Sequence, residues 1–155
     1  PAIGAIQNAL YAAKIVSYAQ GFMLLRQAAK EYHWQLDYGN IALMWRGGCI
    51  IRSQFLGQIK QAFSQQPDLS NLLLADFFQQ AILQNQTGWR QTCQLGIEQG
   101  IALPAMMAAL SFFDGYRCAQ SPANLLQAQR DFFGAHTFER IDHPRGQFFH
   151  HSWPQ

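Results

Sequence analysis

Between Tyr11 and Leu25, five large apolar residues (Tyr11, Ile15, Tyr18, Phe22 and Leu25) follow one another at intervals of four, three, four and three. That period puts all five on one face of an α-helix and does not suit a strand, whose faces alternate every second residue. Ile3, Ile6 and Leu10 extend the apolar surface upstream. The spacing therefore predicts a long helix from about Ile3 to Glu31, with a stripe wide enough for a central element. Lys14 and Ser17 interrupt the pattern and mark an edge facing solvent.

The same period continues downstream. Asp37 caps a short helix through Ile41, Leu43 and Met44. Gly47-Gly48 breaks the chain there, with close packing against Trp45 the expected reason; a phosphate-cradling loop would need further glycines and a Lys-Ser/Thr pair. Ile50, Ile51, Phe55, Leu56, Ile59 and Phe63 predict the next helix, ending before the Pro67-Asp68 turn. Leu72 to Leu74 is a short apolar run, and Phe78, Ile82, Trp89, Cys93 and Ile97 mark a second long helix. Gly100 closes it and Pro104 opens another, with Met106, Leu110, Phe113 and Arg117 along one side. No alternating β pattern, internal repeat or low-complexity segment interrupts the series. The fold class expected is all-α, a multi-helix bundle.

A last helix begins at Ser121-Pro122, serine as cap and proline at the first helical position. Leu125, Leu126, Gln129, Phe132 and Phe133 follow, and Gly134 is expected to supply a left-handed stop. Arg130 then falls in the last turn, with His136 just past the reversal. A guanidinium and an imidazole at one helix end suit an anion or sugar site. The same residues equally suit a cap on the last carbonyls and a loop histidine. Beyond Arg140 the character changes. Ile141 to Gly146 is turn chemistry, and Gln147 to Gln155 carries Phe148, Phe149 and Trp153 without helical period. The expected organisation is a helical domain over 1–140 and a non-helical arm over 141–155, whose aromatics bury against a partner subunit. His143, His150 and His151 have no cysteine or carboxylate at ligand spacing, so no metal site is expected.

Only 13% of residues are charged, about half the usual share, while 49% are apolar and 14% aromatic. Some of the deficit is glutamine in surface places, as at Gln65-Gln66 and Gln79-Gln80; the remainder points to an interface. The net charge of +2 comes from scattered basic residues, which argues against nucleic acid. Gln7, Asn8, Lys14 and Gln20 interrupt the first apolar stretch, so no membrane span or signal peptide is expected. Cys49, Cys93 and Cys118 form no Cys-x-x-Cys pair and read as reduced thiols packed in a cytoplasmic core. No strand precedes a Gly-x-Gly-x-x-Gly turn, so no dinucleotide-binding domain is expected. The chain starts at Pro1, inside a helical pattern, as a piece of something longer would.

The run Gln127-Ala-Gln-Arg-Asp-Phe-Phe-Gly-Ala-His-Thr-Phe-Glu-Arg140 resembles the carboxy-terminal signature of decarboxylating 6-phosphogluconate dehydrogenases. The likeness continues through Ile15-Val-Ser-Tyr-Ala-Gln-Gly-Phe22, Trp45-Arg-Gly-Gly-Cys-Ile-Ile-Arg52, Leu110-Ser-Phe-Phe-Asp-Gly-Tyr-Arg117 and Phe148-Phe-His150. It covers essentially the whole chain but only the carboxy-terminal part of the family. Phe132 and Phe138 stand where the family often has tyrosine. The resemblance implies the carboxy-terminal domain of an enzyme that oxidises 6-phosphogluconate at C3 and releases CO2, giving ribulose 5-phosphate. It implies a homodimer with shared active sites, in which Arg130 and His136 bind the sugar phosphate in the neighbouring subunit's site and the tail threads into the other protomer. NADP, the general-base lysine and the general-acid glutamate would belong to an upstream region, so no catalytic residue is expected in this chain. The alternative, from a different class, is a free-standing helical dimerisation module without catalysis.

Overall fold

The computed structural model describes residues 2–154. Among them lie six α-helices: α1 (Ala2–Glu31), α2 (Tyr38–Met44), α3 (Leu56–Gln65), α4 (Asp76–Glu98), α5 (Pro104–Tyr116) and α6 (Ala123–Gly134). A 3₁₀ turn, Leu72–Leu74, precedes α4, and a two-stranded antiparallel ladder, β1 (Phe138–Glu139) with β2 (Phe148–Phe149), follows α6. The all-α expectation holds, with a minimal ladder where the sequence shows no alternation. The chain forms two compact units, one running to Phe113 and the other beginning at Asp114.

In the first unit α1 packs along α4. Small residues make this possible: Ala9, Ala12, Ala13 and Ala19 of α1 are buried, as are Ala81 and Gly88 of α4. Gly88 faces α1 so closely that an added Cβ would fall 2.9 Å from the Asn8 Cβ and 3.2 Å from the Ala5 Cα. Against the other side of α1 stands an aromatic cluster. Phe22 has ring centroids of Trp45 at 5.7 Å and Phe63 at 5.3 Å, and Phe55 meets Tyr18 at 5.2 Å and Phe78 at 5.9 Å. Such offset and edge-on pairs add to the gain from burial alone. Trp89 is fully buried, and its indole N–H donates to the Met106 carbonyl at 3.1 Å, tying α4 to α5.

Caps and turns do the rest. The Asp37 carboxylate accepts the Asn40 backbone N–H, starting α2 as its position predicts. Asn71, itself buried, accepts the Leu73 N–H and starts the 3₁₀ turn, while Arg26 holds the preceding loop through the Asp68 and Leu69 carbonyls.

Several local expectations need correction. The predicted helix through Ile50 and Ile51 begins only at Leu56; both isoleucines lie in turns and face outward. Gly47 and Gly48 have open space where a Cβ would sit, so close packing against Trp45 does not explain them. Gly48 instead takes a left-handed conformation, φ +66°. Ile3, Ile6 and Leu10 are exposed rather than part of the core stripe. Of the three free cysteines only Cys93 is buried; Cys118 is exposed. No helix among the described residues is long and apolar enough to cross a membrane.

Candidate functional site

In the second unit, α6 reverses the usual relation between residue type and burial. Leu125, Leu126, Phe132 and Phe133 are each more than half exposed, and the helix's one buried residue is Asp131. A buried carboxylate must be fully hydrogen-bonded to be tolerated. Asp131 meets that requirement with four donors. Its Oδ1 accepts the Thr137 backbone N–H at 3.1 Å and His150 Nδ1 at 2.9 Å; its Oδ2 accepts the His151 backbone N–H at 2.9 Å and Trp153 Nε1–H at 3.0 Å. An ionised carboxylate only accepts, so His150 carries a proton on Nδ1. Burial pushes the Asp131 carboxyl up, but the bonds from His151, His150 and Trp153 outweigh it. They hold the group well below the usual carboxylate range.

The main chain of the same residue takes part in the end of the helix. The reversal falls at Ala135, φ +48° and ψ +39°, not at Gly134, which is the last helical residue. The Ala135 N–H donates to the Asp131 carbonyl at 2.9 Å. Thr137 is also left-handed, φ +62°. Left-handed conformations in residues other than glycine cost on the order of 1–3 kcal/mol each and persist only where the surroundings impose them. Here both bracket His136, and both are hydrogen-bonded to Asp131.

Gly134 has a different role from the one its type suggests. A Cβ on it would lie 2.7 Å from His136 Nε2 and 2.9 Å from Cδ2, so the imidazole rests on the bare helix at this point. Arg130 precedes Gly134 by one turn and so shares its stripe. The structure thus brings the two predicted residues to one edge of the helix end. Both are exposed, and Arg130 sits one turn before the last rather than within it. Its Nη1 donates to Gln127 Oε1 at 3.1 Å, a neutral partner; among the described residues no carboxylate pairs with it. Ser121 does not cap the helix; the cap position is Pro122, with no side-chain bond.

The ladder closes this unit. Phe138 stands opposite Phe149 and Glu139 opposite Phe148. Glu139 closes the intervening loop, accepting the Gly146 N–H and pairing with Arg145 at 2.7 Å. Arg140 forks onto Asp142, whose carboxyl it pulls down to about 2. A cleft of about 440 Å³ lies between α6 at Asn124 and Gln127, the ladder at Glu139 and Arg140, and the tail at His151 and Trp153. Neither Arg130 nor His136 lines it, and its guanidinium is already engaged. A larger cleft, about 720 Å³, lies in the first unit around Arg26, Lys30 and Trp34, but Arg26 there is bonded to two carbonyls. Among the described residues no group of three or more His, Cys, Asp or Glu side chains could hold a metal ion. His143 lies on the Phe149 ring, and His151 meets the Trp153 ring edge-on.

Asp131 does not stand out in the sequence. Its one signal is an acidic residue among the apolar positions of a helix end; its donors lie 6 to 22 residues away, with no spacing rule to connect them.

Residues 1–153 match the family described as "6-phosphogluconate dehydrogenase, C-terminal domain". The chain is 63% identical over 148 residues to the decarboxylating 6-phosphogluconate dehydrogenase of Drosophila melanogaster and 61% identical to that of Homo sapiens. These alignments cover 96% of the chain but 31% and 30% of the relatives, so the chain spans about a third of their length. Among solved structures it is similar to Plasmodium falciparum 6-phosphogluconate dehydrogenase, with a TM-score of 0.89 and 40% identity over 96% of this chain and 32% of that one. That enzyme is described in its apo form, with its cofactor NADP+ and with its substrate 6-phosphogluconate.

Proposed function

Because the chain belongs to the family of 6-phosphogluconate dehydrogenase C-terminal domains, we propose that it is the substrate-gripping and subunit-joining part of a decarboxylating, NADP-dependent 6-phosphogluconate dehydrogenase. The reaction is oxidation of 6-phosphogluconate at C3, with hydride passing to NADP, then loss of CO2 to leave ribulose 5-phosphate. The described residues contain no strand leading through a glycine-rich turn into a helix, which supports assigning NADP to a region outside this chain. No step at the nicotinamide falls to this chain; that binding belongs to the upstream region.

The role left to this chain is to hold the substrate's phosphate end. Arg130 presents a guanidinium with only a neutral intrachain partner, and a planar fork of that kind suits a phosphate bidentately. His136, seated on Gly134, adds a hydrogen bond to the sugar phosphate. The observation that carries this reading is that Arg130 and Gly134, with the His136 ring over Gly134, stand four residues apart on one stripe of α6.

The outward-facing Leu125, Leu126, Phe132 and Phe133, with Phe148 67% exposed, support a homodimer in which another subunit covers them. The tail up to Trp153 docks on α6 of its own chain through Asp131, so α6 and the tail would reach the partner together and offer Arg130 and His136 to its active site. Reduced, unpaired cysteines suit a cytoplasmic enzyme. A free-standing dimerisation module is not favoured, since the relatives matching 96% of the chain are the dehydrogenase.

The test is Arg130→Ala in the full-length enzyme carrying this chain. A charge-assisted contact to phosphate contributes about 1.5–3 kcal/mol, so the KM for 6-phosphogluconate should rise roughly 10- to 150-fold. The KM for NADP should hardly change. An unchanged KM for 6-phosphogluconate would remove Arg130 from the site.

A further inference from the structure

His136 stands between two strained residues, and both answer to Asp131. The Ala135 N–H is held by the Asp131 carbonyl at 2.9 Å and the Thr137 N–H by its Oδ1 at 3.1 Å. The second oxygen of the same carboxylate holds only tail groups, the His151 N–H and the Trp153 indole. His150 shares Oδ1 with Thr137. One carboxylate thus ties Thr137 of the histidine turn and the tail into one hydrogen-bonded unit, in which neither half can shift without affecting the other's acceptor. Trp153 also packs edge-on against Phe132, the residue after Asp131, with centroids 5.6 Å apart.

Building on the substrate reading of Arg130 and His136, we infer that Asp131 is a positioning residue. Its carboxylate fixes the backbone at Thr137, just after His136, while its main-chain carbonyl holds Ala135 just before it; the carboxylate thereby keeps the imidazole seated on Gly134 and makes that placement depend on the tail being docked. Arg130 stands on the regular part of the helix and does not need this support. His136 does, because the left-handed backbone at Thr137 would relax if its bond to the carboxylate were lost. A tail detached from α6 therefore leaves a site with its guanidinium in place and its imidazole displaced.

Asp131→Asn keeps the shape but has one acceptor oxygen for donors on two sides, so its amide must turn an N–H toward either the turn or the tail. In the full-length enzyme it should raise the KM for 6-phosphogluconate about fivefold, the worth of one neutral hydrogen bond, and leave the KM for NADP unchanged. It should also shift the His136 ring resonances and speed amide exchange at Thr137 and His151. Gly134→Ala displaces the imidazole alone: the same KM and ring shifts should appear, with His151 exchange unchanged. Trp153→Phe removes one tail donor and should speed exchange at Thr137 as well as at His151. If Asp131→Asn speeds exchange while the His136 resonances and the KM stay as in wild type, Asp131 is only structural and the inference is overturned. Should that variant fail to fold, Trp153→Phe decides: exchange faster at His151 but not at Thr137 breaks the coupling. A wild-type enzyme without 6-phosphogluconate turnover would defeat the proposed function instead, and the resonance and exchange measurements would still judge the clasp.

Discussion

Replacing Gly88 by alanine tests the closest approach in the first unit. In a helix interior alanine is favoured over glycine by about 0.8–1 kcal/mol, so the substitution should stabilise if space allowed. Space does not allow it. The new methyl would lie 2.8 Å from Asn8 Nδ2, 2.9 Å from Asn8 Cβ and 3.2 Å from Ala5 Cα. The amide can swing away, but the Cβ and the Cα move only with α1, the main packing partner of α4. Overpacking of this kind costs about 1–3 kcal/mol, which leaves a net destabilisation of up to roughly 2 kcal/mol. Gly21 of α1 is exposed and has open space at its Cβ position, so Gly21→Ala keeps the propensity gain without the clash. The two variants should differ by about 1–3 kcal/mol. At about 2–4 °C per kcal/mol for a chain of this size, thermal unfolding should place their midpoints some 2–12 °C apart, Gly88→Ala lower. Equal midpoints would refute the close-packing argument.

Three further outcomes are expected. Because the Asp131 carboxyl is held below its unfolded value of about 3.9, the stability it contributes is present above that pH and lost as pH falls through the folded value. Exchange at His151 should therefore stay slow from neutral to mildly acidic pH and accelerate only in strong acid; Asp131→Asn should be fast throughout, separating this effect from Glu139 and Asp142, which shift the same way. A thiol reagent should modify exposed Cys118 quickly and Cys93 only on unfolding, since Cys93 is buried and burial pushes its thiol up; equal rates would contradict that burial. In heterodimers of an Arg130→Ala subunit with one lacking the upstream general base, one site keeps both functions if Arg130 serves the partner, so activity should return. No recovery in a verified heterodimer would place Arg130 in its own subunit's site.

The helices were legible where a regular period coincides with continuous burial. Ile15 and Phe22, or Phe78, Ile82, Trp89 and Cys93, are core residues at helical spacing, and both long helices follow. Ile50 and Ile51 have the right type and spacing for a helix but sit in turns, because apolar character says nothing about whether a neighbour is there to cover it. Ile3, Ile6 and Leu10 show the same gap at the start of α1. Gly134 was legible as a helix end but not in its function: a stop needs left-handed backbone, and Ala135 supplies that while Gly134 provides bare surface under an imidazole.

Asp131 marks where reading by residue type reaches its limit, and the reason is physical. A carboxylate in a helix interior normally belongs to the solvated face, and four exposed apolar neighbours make the opposite orientation look natural for α6. Only when the tail returns does the buried face need acceptors, and it then needs several at one point for donors from two segments. An apolar residue there would leave four N–H donors unpaired, each costing about 1–3 kcal/mol if no other acceptor replaced it. Asparagine has a single acceptor oxygen, and glutamate would carry its carboxylate one methylene further from the helix. Aspartate alone offers two acceptor oxygens at this distance, and its desolvation is offset by the bonds that also depress its carboxyl. The same requirement bears on the exposed apolar residues of the helix. With the tail-facing side of α6 taken by Asp131 and by Phe132 against Trp153, Leu125, Leu126 and Phe133 are left on the outward side of the helix.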